Sequence, residues 1–136
     1  MKAVASLIRI ANHEVETLQK RLAEIVDRRA MAEMKLAVIL AEGEAELANA
    51  RRDAEAGWYL AGFREGLKLR AEAAERDIAL LAQEEAGARD ALAEAYEALK
   101  KYELVSESAR AAARKEADRR ETAALDELGL RRAGRP

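Results

Sequence analysis

The sequence predicts an all-α protein, a long antiparallel two-helix coiled-coil hairpin whose second helix is longer than the first. Alanine, glutamate, leucine, arginine and lysine make up 94 of the 136 residues, and such a composition is typical of coiled coils and long helices. The one proline is the last residue. In two separate stretches the apolar residues recur every 3.5 positions, which is the heptad pattern of a left-handed coiled coil.

The first heptad stretch predicts a helix over about residues 3–50. Nine of its ten positions are apolar, and we call it the first seam: Ile8, Ala11, Val15, Leu18, Leu22, Ile25, Arg29, Ala32, Leu36 and Ile39. Arg29 is its charged member. We interpret Arg29 as a residue that sets the register between helices, because a polar residue at such a position disfavours other pairings.

The apolar pattern breaks between Gly43 and Gly66, a region that contains four of the seven glycines. We place the turn at about residues 51–54, and without a proline in this region the boundary stays open from about 48 to 61. Asp53 supports this position, because its carboxylate can accept hydrogen bonds from the first free amides of a new helix.

The second heptad stretch predicts a helix over about residues 54–128, followed by a disordered tail at 129–136. Ten of its twelve positions are apolar, and we call it the second seam: Ala74, Ile78, Leu81, Glu85, Ala88, Leu92, Ala95, Leu99, Tyr102, Ser106, Ala109 and Ala113. Glu85 interrupts this seam as Arg29 interrupts the first. The whole chain, 1–136, is thus expected to form a single coiled-coil hairpin.

A turn near residue 52 also predicts which residues meet. Positions whose numbers add up to about 105 should face each other, so Leu22 should lie near Leu81 or Glu85, and Ile8 near Leu99. The second helix should then extend beyond the first from about residue 103 to 128. An exposed apolar stripe on a single helix indicates a partner, and this stripe consists of Ala109, Ala113, Ala117, Ala124 and Leu128.

Charge and hydropathy argue against several functions. The 24 basic and 26 acidic residues are interspersed, whereas a nucleic-acid-binding protein needs a concentrated positive surface. Residues 101–136 are only weakly basic, with nine positive and seven negative side chains. No apolar run reaches the length of a signal peptide or a membrane span, so we expect a cytoplasmic protein.

The sequence also contains no combination of residues that would indicate a metal site or a catalytic site. The single histidine, His13, cannot form a zinc site in a chain without cysteine, because such sites need three or four nitrogen or sulfur ligands. General acid–base catalysis needs a pocket that shifts pKa values, and a two-helix rod offers none. We therefore expect no enzymatic activity, no cofactor, no metal and no small-molecule substrate.

Three of the five aromatic residues lie close together at the predicted tip of the hairpin: Trp58, Tyr59 and Phe63. One interpretation is a small core that closes the tip. The other is an exposed docking surface, because aromatic side chains contribute strongly to the energy of interfaces.

Several segments resemble a known family. The sequence LIRI at residues 7–10, followed by HEV at 13–15, is similar to the opening of flagellar export proteins of the FliJ type. The segments AYEALKKYE at 95–103 and LDE at 125–127 resemble the second helix and the tail of that family. The similarity covers nearly the whole chain.

This resemblance implies a non-enzymatic component of the flagellar type III export apparatus, cytoplasmic and peripheral to the inner membrane at the flagellar base. Members of the family are antiparallel two-helix coiled coils similar to the central stalk of rotary ATPases. The implied partners are the hexameric export ATPase, the cytoplasmic domain of the export gate and export chaperones. From the residues themselves we expect a chain that is monomeric on its own, because the two seams have similar length and a short break joins them; an elongated dimer with one uninterrupted helix per chain is the alternative. The alternative is a generic coiled-coil adaptor or holdase-like chaperone that forms a homodimer.

The resemblance places the ATPase contact at the two chain ends. Combined with the apolar stripe and its flanking charges, which can orient a partner, it yields these candidate residues: Leu7, Ile10, Ala109, Ala113, Ala117, Leu125, Leu128, Arg131 and Arg132. The second candidate docking surface is the tip, with Trp58, Tyr59 and Phe63.

Overall fold

The computed structural model describes residues 2–52 and 54–134. Two α-helices, α1 (Lys2–Arg52) and α2 (Leu60–Ala133), have a short 3-10 helix (Ala54–Tyr59) between them. The α-helices contain 51 and 74 residues. The predicted all-α hairpin with a longer second helix is therefore confirmed.

The connection between the helices lies within the range of about 48–61 that the sequence left open, but it is centred later than 51–54. The turn was expected at about 51–54, but α1 continues to Arg52 and α2 begins only at Leu60. The predicted cap, Asp53, lies outside the described residues. The heptad pattern of α1 does not break at Gly43, because the positions that follow Ile39 are still covered: Gly43 and Ala50 are buried and Glu46 is half-buried. This packing keeps α1 helical up to the connection.

The second helix also ends later than predicted. A disordered tail was expected from residue 129, but α2 continues to Ala133. The Gly134 amide then donates a hydrogen bond of 3.0 Å to the Leu130 carbonyl. Leucine, arginine and alanine are strong helix formers, and in this segment they outweigh the helix-destabilising effect of Gly129.

Both seams were identified correctly at the level of single residues. Every member of the first seam is buried or half-buried, and in the second seam only Ala113 is exposed. The best-covered apolar residues of the described chain all occupy heptad positions: Ala11, Val15, Ile25, Ile39, Ala50, Ala74, Leu81 and Ala88. The core is therefore a narrow line of small and medium-sized side chains.

The chain divides into two compact units, which we describe separately. The hairpin unit comprises Glu16–Ala93. The terminal unit contains the start of α1, up to Val15, and the part of α2 from Glu94 onward.

In the hairpin unit the two helices run antiparallel, in a register about one heptad away from the predicted one. Ion pairs join Arg28 to Glu84 at 3.4 Å, Arg29 to Glu85 at 3.2 Å and Arg70 to Glu42 at 3.9 Å. The residue numbers of these pairs add up to 112–114 rather than about 105. The predicted pairing of Leu22 with Leu81 or Glu85 is therefore wrong, because the connection is centred later and Glu85 contacts Arg29.

The two charged seam residues are the centre of a small ionic network. The Arg29 guanidinium lies 3.2 Å from a Glu85 oxygen through Nη1 and 3.3 Å from a Glu33 oxygen through Nε. Arg89 Nε lies 3.6 Å from the same Glu85 oxygen. Among the described residues, Arg29 Nε has no hydrogen-bond acceptor, so its contact with Glu33 is an ion pair without hydrogen-bond geometry. Both half-buried charges of the seam thus face opposite charges.

The terminal unit has the same register. Ile8 lines a shallow groove with Glu103, Ser106, Glu107 and Arg110, so its predicted pairing with Leu99 is wrong by about one heptad. The N-terminal end of α1 was expected beside residue 103 of α2. It lies further along α2, since Ala5 lines a groove with Ser106, Ala109 and Ala113. Of residues 111–134, all are exposed except the half-buried Glu116, and we call 111–134 the exposed segment.

Candidate functional site

The terminal unit contains all the residues predicted to contact the ATPase ring. Leu7 and Ile10 are exposed on α1. On α2, Ala113, Ala117, Arg131 and Arg132 are exposed, as are Leu125 and Leu128. These residues belong to helical segments throughout, so their spacing along each helix is regular.

The start of α1 covers part of the predicted stripe on α2. Ala5 lines a groove with Ser106, Ala109 and Ala113, and Ala109 is half-buried. The surface that a partner can reach is therefore centred further along α2, on the exposed segment. Its apolar side chains are mostly small, which allows close approach of a second helix or a pore wall.

Three apolar residues add to this surface and were missed from the sequence. Leu130 is exposed and follows Leu125 and Leu128 on the last turns of α2, where a disordered tail was expected. Leu104 and Val105 are also exposed, next to the groove lined by Ile8. Leu104 and Val105 lie outside the heptad positions, and large apolar residues at such positions are the signal that could have identified them. Leu130 lies on the continuation of the second seam beyond Ala113, so extending that seam to the end of the chain could have identified it.

Ion pairs within α2 organise the charges of the exposed segment. The Glu116 carboxylate accepts hydrogen bonds of 3.0 and 2.8 Å from Arg119 and of 3.3 Å from Arg120. The bonds from Arg119 are the largest cause of the lowered pKa of Glu116; desolvation opposes them, and the bond from Arg120 lowers the pKa further. The same contact raises the pKa of Arg119. Arg131 donates to Glu127 at 3.1 Å, whereas Arg132 is exposed one residue further along.

The aromatic residues at the tip of the hairpin unit differ in exposure, so that some fit a small core and one fits an exposed surface. Tyr59 and Phe63 are half-buried, and the Tyr59 hydroxyl donates a 2.9 Å hydrogen bond to Glu46. Trp58 is 85% exposed. Its ring meets that of Tyr59 edge to face, with centroids 5.7 Å apart and an angle of 80°. Tyr59 and Phe63 therefore close the tip, while Trp58 is presented to solvent on an ordered support.

The described residues contain neither a metal-ligand cluster nor a membrane-spanning segment. Within 2–52 and 54–134, no cluster of three or more histidine, cysteine, aspartate or glutamate residues is placed to hold a metal ion. His13 lies on the exposed side of α1. Neither helix, over its described length, has a segment that is both long and apolar enough to cross a membrane.

Comparisons with known proteins agree with this architecture. The family described as "Flagellar FliJ protein" matches residues 1–136. Two proteins named "Flagellar FliJ protein", from the Caulobacter vibrioides strains NA1000 / CB15N and ATCC 19089 / CIP 103742 / CB 15, are each 58% identical to this chain over 132 residues. The aligned region covers 97% of this chain and 95% of each relative. No solved structure matches the chain.

The family match covers the whole chain, and the relatives are aligned from end to end at high identity. The resemblance in the segments at residues 7–15, 95–103 and 125–127 is thus part of a similarity that includes both helices. The chain belongs to the flagellar FliJ protein family.

Proposed function

We propose that this chain is a stalk-like, non-catalytic protein that couples the hexameric ATPase of flagellar protein export to the export gate. Membership of the FliJ family makes it a component of the flagellar export apparatus. Its role as a coupling element, its position at the cytoplasmic side of the inner membrane and its individual partners are the proposed part.

The observation that carries the proposal is the exposed segment of α2. Residues 111–134 form a single helical stretch with a thin apolar stripe, and an exposed stripe of this kind is a binding surface. Leu125, Leu128 and Leu130 supply its large apolar side chains. Small residues and paired charges along the rest of the segment favour a contact of limited area, such as that of a slim helix within a ring.

The tip is the second proposed docking surface, and we assign it to the cytoplasmic domain of the export gate. Trp58 is the most exposed of the large apolar side chains described. Tryptophan is enriched among residues that contribute most to binding energy. The edge-to-face contact with Tyr59 holds the Trp58 ring in place before binding, which reduces the entropy lost when a partner docks.

A second candidate function is the escort of export chaperones, favoured by an exposed row on α1. Met31, Met34 and Val38 are exposed, and their spacing places them on one side of the helix. Methionine side chains adapt to differently shaped partners. Replacing Met31 and Met34 by serine should weaken the binding of an export chaperone and leave ATPase binding unchanged.

The coupling proposal is tested by charge substitutions in the full-length chain. The variant Leu125→Lys/Leu128→Lys should lose binding to the hexameric export ATPase and stimulation of ATP hydrolysis, because two ammonium groups would have to be desolvated in the contact. Both residues are exposed, so circular dichroism should show an unchanged helix content. Pull-down with the purified ATPase and a phosphate-release assay are the measurements.

Leu80→Lys is the matched control, since Leu80 is an equally exposed leucine of the hairpin unit. This variant should bind and stimulate the ATPase like the original chain. Full binding by the Leu125→Lys/Leu128→Lys variant would contradict the proposed contact. The same assay with Trp58→Ala would then show whether the ATPase binds the tip.

A further inference from the structure

We propose that the ion pair between Arg29 and Glu85 determines the register of the hairpin unit and prevents the helices from sliding by a heptad. We call these two residues the register pair. They are the charged members of the two seams, and they contact each other at 3.2 Å. Their side chains are only 36% and 15% exposed. Water would therefore solvate either charge incompletely if the charge lost its partner on the other helix.

The heptad pattern alone permits more than one register. A slide of seven residues moves one helix by about 10 Å along the other and again places seam residues opposite seam residues. Most layers would still pair one apolar side chain with another. Leu67, for example, now lies against Gly43 and would instead face Leu36, which is an ordinary coiled-coil layer.

The register pair is where the alternative registers differ. After a slide in one direction, Arg29 would face Ile78 and Glu85 would face Leu22. After a slide in the other direction, they would face Leu92 and Leu36. Either slide breaks the contact between the helices and leaves Arg29 and Glu85 among apolar side chains with only their intrahelical partners, Glu33 and Arg89. Losing the opposite charge at a half-buried seam position is destabilising.

The neighbouring ion pairs discriminate much less between registers. Arg28 and Glu84 are 61% and 50% exposed, and Arg70 and Glu42 are also exposed and lie 3.9 Å apart. Water would solvate these charges after a slide, and exposed ion pairs contribute little to stability. Arg28 and Glu84 therefore provide a matched control, with the same charges one residue away from the register pair.

The experiment measures the distance between two spin labels in the full chain. The chain has no cysteine, so labels can be attached at Glu24→Cys and Lys68→Cys, both exposed positions. In the observed register the two positions are offset by about 30 Å along the helix axis. A slide of one heptad changes this offset by about 10 Å, which pulsed dipolar spectroscopy resolves when the labelled protein is diluted with unlabelled protein.

The original chain should show one distance, whereas Arg29→Leu/Glu85→Leu should show at least two that differ by about 10 Å. Leucine at both positions adds apolar contacts to the seam, so this variant should remain helical. The charge-swapped variant Arg29→Glu/Glu85→Arg should again show a single distance, equal to the original one. The control Arg28→Leu/Glu84→Leu should keep that distance too.

Three results would overturn the proposal. One is a single, unchanged distance in Arg29→Leu/Glu85→Leu, because the register would then be set elsewhere, for example by the connection between the helices. Another is an equal broadening of the distances in Arg28→Leu/Glu84→Leu, because the exposed pair would then determine the register. Additional distances in the charge-swapped variant would also contradict the role of the ion pair.

Discussion

Leu67 of α2 occupies the space beside Gly43 of α1 that any larger residue at position 43 would need. A Cβ atom on Gly43 would lie 2.5 and 2.7 Å from the two Cδ atoms of Leu67, whereas real Cβ atoms do not approach other atoms so closely. Gly43 is buried at a heptad position of α1. A residue that weakens an isolated helix thus creates the space in which the side chain from the opposite helix packs.

Gly43→Ala should therefore gain less stability than the helix propensity of alanine provides, because the added methyl group displaces the Leu67 side chain. The gain in helix propensity is about 1 kcal/mol. Overpacking costs about 1–3 kcal/mol, and we expect the lower end because the atoms in the way are the terminal methyl groups of a flexible, half-buried side chain. The free energy of unfolding, measured by chemical denaturation, should therefore show no net gain. Gly62→Ala is the control, because nothing lies within 4 Å of a Cβ there, and it should stabilise the protein by about 0.5–1 kcal/mol.

An equal stabilisation by Gly43→Ala and Gly62→Ala would contradict the close packing of Leu67. The variant Leu67→Ala removes the side chain in question. In that background, the penalty for alanine at position 43 should disappear.

Two adjacent leucines of α2 should differ strongly in their effect on stability. Leu81 is 9% exposed and Leu80 is 58% exposed. Leu81→Ala should lower the free energy of unfolding by about 2–3 kcal/mol, the lower part of the range for buried leucines, because a two-stranded core is thin. Leu80→Ala should change it by less than about 0.5 kcal/mol, as is usual for surface positions. Similar losses for both variants, measured by urea denaturation, would mean that α2 presents a different face to α1.

The hydrogen bond between Tyr59 and Glu46 should contribute to the stability of the tip. Tyr59→Phe removes only the hydroxyl, which donates to a Glu46 oxygen at 2.9 Å in a half-buried environment. We expect a loss of about 1 kcal/mol in the free energy of unfolding. Because Trp58 packs edge to face on Tyr59, its fluorescence reports on the same site. An unchanged denaturation midpoint for Tyr59→Phe would show that the bond adds nothing to stability.

The contact between Glu116 and Arg119 predicts a pH dependence of the exposed segment. The pKa of Glu116 in the folded chain is lowered from its ordinary value of 4.5. The ion pair therefore stabilises the helix fully above that value, and its contribution is lost as the pH falls through the lowered pKa. Carbon-13 NMR of the Glu116 carboxyl group should follow this titration.

Arg119→Gln should raise the pKa of Glu116, because the hydrogen bonds from Arg119 are the largest cause of its shift. Arg131→Gln is the control. It breaks the pair with Glu127, which lies about two to three helical turns after Arg120, and it should leave the titration of Glu116 unchanged. The same titration curve in Arg119→Gln and the original chain would contradict the assigned cause.

The sequence by itself determined which residues form the core of each helix. Heptad spacing identified every member of the first seam and all but Ala113 of the second as buried or half-buried. This prediction succeeds because the period of a helix is a local property. The position of a residue along the helix fixes on which side of the helix it lies, whatever the rest of the fold is. The exposed apolar surface of the last turns was predicted only in part, since Leu130 fell in the segment expected to be disordered.

Only the tertiary structure decided the register and the position of the connection. The heptad pattern is unchanged by a shift of seven residues, so periodicity cannot distinguish pairs whose numbers add up to about 105 from the observed pairs at 112–114. The distinction depends on contacts between residues far apart in the chain, such as Arg29 with Glu85. This contact forms only when both helices are present, because the energy of a charge in the seam depends on the residue opposite.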